Sequence, residues 1–290
     1  METTAEKTFD LEQMAAQLEE AETVMIKRDR YGYTIDGNFY RRVTTLVGGI
    51  PKPWLGGWAA KMVAEFAVEH RDAWLDLPKT DALKLLKGAP WSKRDDAGDR
   101  GTAIHDTIEA FVKKRPAPDG LSDDEAACAN AAAEFLRARD SHILACELTV
   151  YSPTHGYAGT LDLWDIDQDG VPWILDWKSS ASIYAEHAVQ QTAYQNAEFA
   201  IVKKTPVAGE KEMWEGKVIP WGPECAQRLG IVHVEPDGAT MYPIVNTDRL
   251  WTVFRAAMFT KMFLLDSDDF AGKTPRLRVF DNPIKMSGDE

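Results

Sequence analysis

The sequence is poor in cysteine, in long apolar runs and in positive charge, and each shortage closes off a class of function. Cys128, Cys146 and Cys225 are the only cysteines among 290 residues. They lie far apart and form no C-x-x-C pair, which argues against a cysteine zinc site or a disulfide framework and fits a reducing cytoplasm. No apolar run approaches the roughly 18 residues of a membrane span. The opening METTAEKTFDLEQ is too polar and acidic for a secretory signal. The expectation is a cytoplasmic protein with no membrane partner. The phosphate loop G-x-x-x-x-G-K-[ST] is missing, so no nucleotide cofactor or motor is expected on the chain. Acidic residues number 46 against 33 lysines and arginines, a net charge of −13. A general nucleic-acid coat would be basic, so that class is set aside. An enzyme that concentrates carboxylates around a metal is not. The basic clusters Lys113-Lys114-Arg115, Lys203-Lys204 and Arg276/Arg278 read first as solvated surface.

What is present suits a folded protein: 44% apolar residues, 27% charged and ten tryptophans, in a chain long enough to bury a sizeable core. Patterning gives an α+β chain with an α/β-like core. Residues 9–27 carry Leu11, Met14, Ala15, Leu18, Ala21 and Met25 at helical spacing. YTIDGNFYRRVTTL reads as a hairpin about Asp36-Gly37-Asn38. A Pro- and Gly-marked loop then leads to a helix over about 55–74. Residues 76–100 are polar and turn-rich, with Ser92 as N-cap of a helix running past Gly101 to Lys114. After the breaker RPAPDGLS, Ser122 and Glu125 stand at capping-box spacing for a helix over 122–140. Three strand runs follow, HILACELTVYS, YAGTLDLWDI and VPWILDWKSS, the last two joined by a DQDG turn. Next come a helix over about 184–203, a loop through PVAGEKEMWEGKVIPWGPE, a hairpin turned at Pro236-Asp237-Gly238, and a helix over about 247–265. The tail from Asp266 reads as irregular. The sum is a central mixed β-sheet flanked by helices, with no repeat or linker to divide it.

The chemistry concentrates around ILDWKSS. Asp176 and Lys178 are two apart on a strand and point to one face. A surface ion pair is the plain reading; half of a metal-dependent hydrolytic site is the other. If the DQDG hairpin has a three-residue loop, Asp167 faces Val171 and Asp162 falls opposite Asp176, with Cβ atoms about 5 Å apart. Two such carboxylates repel unless a cation lies between them. Glu147 is a carboxylate within the apolar strand ACELTV, where it needs a partner or an outward-facing position. His105 and Glu109 stand at i and i+4 on a helix, as do Gln190 and Tyr194. Gly101 in the first of these helices hints at a close backbone approach.

In this order, GTxxH, E, GTLD, DWK and QxxxY over about residues 98–200 resemble the RecB-type branch of the PD-(D/E)XK nuclease superfamily. The upstream segment YTIDGNFYRRVTTLVGGIPKPWLGGWAAK is similar to phage-encoded members. The resemblance implies a restriction-endonuclease-like core over 98–265 with helical N-terminal additions over 1–97 and a tail over 266–290, packed as one compact unit. It implies Mg²⁺- or Mn²⁺-dependent hydrolysis of DNA, by an exonuclease on linear ends, in recombination, replication or repair. His105, Asp162, Asp176 and the Trp177 backbone carbonyl would ligate the metal, and Lys178 would position the attacking water. Glu147 matches the upstream acidic position that assists the metal or its waters, and Gln190 and Tyr194 the helix that contacts the DNA end. The cysteines of the iron–sulfur relatives are missing, so no cluster is expected. A recombination or annealing protein is the expected partner, in the host cytoplasm for a phage-encoded chain. A catalytically silent DNA- or protein-binding module of the same fold is the alternative.

Overall fold

Asp10 accepts the amide of Gln13 at 2.9 Å and starts α1 (Leu11–Glu20). The structure, a computed structural model, describes residues 9–180, 182–210 and 212–266. The helical stripe expected through residue 27 ends at Ala21, whose backbone is extended. Thr23–Arg28 instead forms strand β1, with Val24 and Ile26 buried and their neighbours exposed. Its β-branched residues suit a half-buried pleat better than a helix. β2 (Gly32–Ile35) and β3 (Asn38–Arg42) form the expected hairpin. Its two turn residues, Asp36 and Gly37, both have positive φ, the conformation that matches strand twist in a two-residue turn.

α2 (Val43–Val47), α3 (Leu55–Glu69) and α4 (Arg71–Trp74) lead into α5 (Lys79–Val112). The turn-rich reading of 76–100 is corrected here. The helix is continuous over 34 residues, with Pro90 inside it and no new start at Ser92. Proline removes one helical hydrogen bond, and the surrounding Ala, Leu, Lys and Arg are strong helix formers. The 97/98 boundary expected from the resemblance therefore lies inside α5. α6 (Asp123–Arg139) starts on the expected capping box. Ser122 Oγ accepts from the Glu125 amide at 3.3 Å, and Glu125 Oε2 accepts from the Ser122 amide at 2.7 Å.

β4 (His142–Ser152), β5 (Tyr157–Ile166) and β6 (Pro172–Lys178) are the expected meander. α7 (Ala185–Gln195) stops eight residues short of the expected 203. Asn196 Nδ2 folds back onto the Thr192 carbonyl at 2.8 Å, and Phe199–Pro206 becomes β7. The expected loop beyond it contains β8 (Met213–Pro220). Gly216 weakens the strand pattern but is required there, because a Cβ would lie 2.5 Å from Ile201 Cγ2. β9 (Arg228–Glu235), β10 (Gly238–Pro243) and α8 (Thr247–Asp266) follow as expected and are the last elements among the described residues. Arg276, Arg278 and the tail from 267 lie outside the described residues.

The protein is α+β, with a ten-stranded mixed sheet in the order β10-β9-β6-β5-β3-β2-β1-β8-β7-β4. β3 runs parallel to β5 and β6 parallel to β9, and the other pairings are antiparallel. β4 also pairs with β5, so β5, β3, β2, β1, β8, β7 and β4 form a closed ring. Its interior is one apolar cluster that includes Ile26, Ile35, Tyr40, Tyr151, Ala158, Ile201 and Trp214, drawn from all seven strands. β6, β9 and β10 continue from β5 as an open wing. One face of the wing packs on α5 and α6 through Ile104, Leu136, Leu175 and Trp177. The other packs on α2, α7 and α8 through Leu46, Ile174, Ala193 and Phe254. Among the described residues, no helix is long and apolar enough to cross a membrane.

Candidate active site

Ring and wing part company along one edge of β5. β3 occupies that edge at Tyr157–Ala158 and β6 at Leu163–Ile166. The gap between them, Gly159–Asp162, opens into a cavity of about 550 Å³. The hairpin register is the one the three-residue loop requires. The Asp167 amide donates to the Val171 carbonyl at 3.0 Å, and the ladder runs from Ile166↔Pro172 to Leu163↔Leu175. One further step sets Asp162 opposite Asp176. There the backbone ladder ends, and Asp162 Oδ2 accepts the Trp177 amide at 2.8 Å. The bond fixes this carboxylate between the two strands.

Strand alternation reverses at the same level. Leu161 joins the cluster on the α7 face, whereas Leu163, two residues on, joins the α5 face. On β4, Leu148 and Cys146 divide the same way, and Glu147 between them has φ +56. Left-handed backbone is unfavourable for a non-glycine residue in a strand. Here it carries the Glu147 carboxylate into the cavity. One nitrogen of His105 and one oxygen each of Glu147 and Asp162 lie within 4.8 Å of one another. Burial and then the charge of Asp162 push the Glu147 carboxyl up to about 7. Burial also raises Asp162, with Asp176 adding to it and His105 opposing. Crowded, desolvated carboxylates of this kind are what a bound cation relieves.

Asp176 lines the same cavity. Its Oδ2 ion-pairs with the Lys178 ammonium, and Gln190 Nε2 stands 3.5 Å from Oδ1. Burial works against the Lys178 charge, but Asp176 and Asp162 outweigh it and hold the pKa above that of an ordinary lysine. The Trp177 carbonyl receives both Lys178 Nζ, at 3.3 Å, and His105 Nε2, at 2.9 Å. His105 Nδ1 stands 3.5 Å from Asp162 Oδ2. Gln190 Nε2 donates to Tyr194 Oη at 2.9 Å. Tyr194 reaches its place because Gly159 has no side chain: a Cβ there would lie 2.4 Å from Tyr194 Cε1. All seven side chains singled out from the sequence thus line one cavity, Glu147 reaching it from β4. Within the cavity Glu147 stands beside His105 and Asp162, and Asp176 pairs with Lys178 on the same wall.

Glu109, the i+4 neighbour of His105, also borders the cavity but is bound to Lys113 and, at 2.9 Å, to Arg115. Three further groups escaped the sequence reading. Arg28 lines the cavity while paired with Glu212 at 2.7 Å. Arg42 lines it too, bonded through Nη2 to the Asp29 carbonyl, its buried Nε without a partner. The YRRV run held a signal for Arg42, a cation at the end of a strand. Lys204, read as surface, is half-buried behind Glu147, and desolvation lowers its pKa to about 8. Around the wall, Asp106, Glu109, Glu147, Asp162 and Asp176 face Arg28, Arg42 and Lys178. This excess of carboxylates repels an anionic ligand unless a cation is bound among them. Neither a scan against protein-family models nor a search of curated proteins finds a match to this chain.

Proposed function

We propose that the protein is a divalent-metal-dependent deoxyribonuclease, an exonuclease that hydrolyses phosphodiester bonds at linear DNA ends in recombination, replication or repair. The observation that carries the reading is convergence. Residues spread from 105 to 194, on two helices and three strands, meet at one fork of the sheet. His105, Glu147 and Asp162 offer one imidazole and two carboxylates, a donor set that suits Mn²⁺ and admits Mg²⁺. When bound, such an ion supplies a Lewis acid at the phosphate and makes a nearby water a better nucleophile.

The remaining work falls to the chain's own side chains. Lys178, kept charged by Asp176, is a fixed cation that can orient the attacking water and offset charge building on phosphorus oxygens. Its raised pKa fits an electrostatic role better than that of a general base. Asp176 holds the ammonium, and Gln190 ties Asp176 to Tyr194 and so to α7. Arg28 and Arg42, on the ring side of the cavity, give the DNA backbone a cationic wall. Water adds across the P–O bond, and the departing 3′ oxygen takes up a proton.

End-labelled linear and circular DNA, single- and double-stranded, incubated with Mg²⁺, Mn²⁺ or EDTA, tests the reading. Metal-dependent loss of linear DNA that spares circles is expected, and Lys178→Ala and Asp162→Ala should be inert. Cleaved circles would make the enzyme an endonuclease. Intact DNA in every lane would leave a binding module.

A further inference from the structure

Lys204 stands behind the candidate site, outside its wall. From β7 its Nζ donates to the Glu147 carbonyl at 2.7 Å and to Thr149 Oγ1 at 3.0 Å. The β4–β7 ladder pairs Val150 with Ala200 and Thr149 with Ile201. Continued two residues further, it sets Glu147 opposite Lys203. Both residues have positive φ, +56 and +51. Two facing strands therefore leave extended geometry at one level, and β7 also shifts its register against β8 between Val202 and Thr205. Such backbone persists only where its surroundings over-determine it. A carbonyl rotated out of a ladder needs another donor, and the Lys204 ammonium is that donor. The Trp214 ring centroid lies 5.8 Å from Lys204 Nζ and 5.6 Å from Arg28 Cζ, which confines the lysine.

We propose that Lys204 is a positioning residue for Glu147: it holds the reversed backbone that turns this carboxylate toward His105 and Asp162. The inference rests on the reading above, in which those three side chains hold a divalent cation. It has a consequence that charge alone does not give. Deleting a cation near a metal site should tighten binding of a dication, whereas losing the positioning bond should weaken it.

Mn²⁺ affinity, measured by calorimetry on the full chain, separates the two. Lys204→Met should weaken Mn²⁺ about 10- to 100-fold, the range for groups that orient metal ligands. Lys204→Arg, which keeps a donor, should recover most of the loss. In a Glu147→Gln background, Lys204→Met should change affinity less than about twofold, because a residue acting through Glu147 has nothing left to position. A Lys204→Met protein that binds Mn²⁺ as tightly as wild type, or more tightly, overturns the proposal. So does a full additional loss on top of Glu147→Gln. Melting of each metal-free variant checks folding; should Lys204→Met not fold, Lys204→Leu, which also lacks a donor, takes its place in the same comparison. Failure of the wild-type chain to bind Mn²⁺ would remove the metal reading itself, whereas wild-type binding with an unaffected Lys204→Met removes only this inference.

Discussion

A Glu147→Gln variant keeps the shape of the side chain and removes its charge. In the metal-free wild-type protein the carboxyl is raised from 4.5 to about 7 by burial and by Asp162. A pKa that is higher in the folded than in the unfolded state means that folding favours the protonated form. The associated stability is fully present below about pH 4.5 and is lost as the pH rises through 7. One pKa unit corresponds to about 1.4 kcal/mol, so the shift amounts to about 3 kcal/mol by pH 8. For a chain of this size that is about 5–10 °C in melting temperature. The assay is a series of melts in EDTA from pH 5 to 8.5. Other groups titrate as well, so the readout is the difference between wild type and variant. The variant should gain on the wild type by about 2–3 kcal/mol between pH 5 and pH 8, whatever constant offset its amide introduces. Mn²⁺ at pH 8 should restore the wild type and do little for the variant. A difference that stays flat across this range would refute the argument that Glu147 is held desolvated against Asp162.

Three other outcomes follow from the geometry. Asp176→Ala should abolish DNA cleavage in the labelled-end assay while the far-ultraviolet dichroism stays native; wild-type rates in Mg²⁺ would remove Asp176 and its hold on Lys178 from the mechanism. Gly159→Ala should cost about 1–3 kcal/mol in a denaturant titration, as overpacking against the Tyr194 ring does, and a change under about 0.5 kcal/mol would contradict so close an approach. Ser122→Ala should cost about 1 kcal/mol through loss of the α6 cap, with the same titration as the check.

The features legible in the sequence were those written by residues close together in the chain. The Asp36-Gly37 turn, the Ser122/Glu125 capping box and the register set by the DQDG loop each depend on a few neighbouring positions. The Asp162–Asp176 juxtaposition followed because strand periodicity carries a turn's register outward. What escaped depends on pairing across long separations. Thr23–Arg28 and Met213–Pro220 are weak strands alone and become strands by pairing with each other in the ring. α5 was obscured by Pro90 and its polar run, which a long helix tolerates. The role of Glu147 was open because alternation offers two faces, and a positive φ lies outside alternation altogether. Lys204 looked like half of a surface dibasic pair, because nothing local reveals a strand that doubles back onto it.

Closure of the ring orders events in synthesis as well as in space. The β2–β3 hairpin can form as soon as residues 32–42 are available, and the β4–β5–β6 meander is equally local. The seam between Thr23 and Lys217 waits for a segment made far later, and contacts of such sequence separation are slow to form because loop closure precedes any gain from them. Until β8 arrives, β1 carries an open edge, the kind of edge that recruits other chains. Overproduction should therefore test the early hairpin more severely than the late wing, and aggregation should depend on residues 23–28, far in sequence from the chemistry they help to enclose.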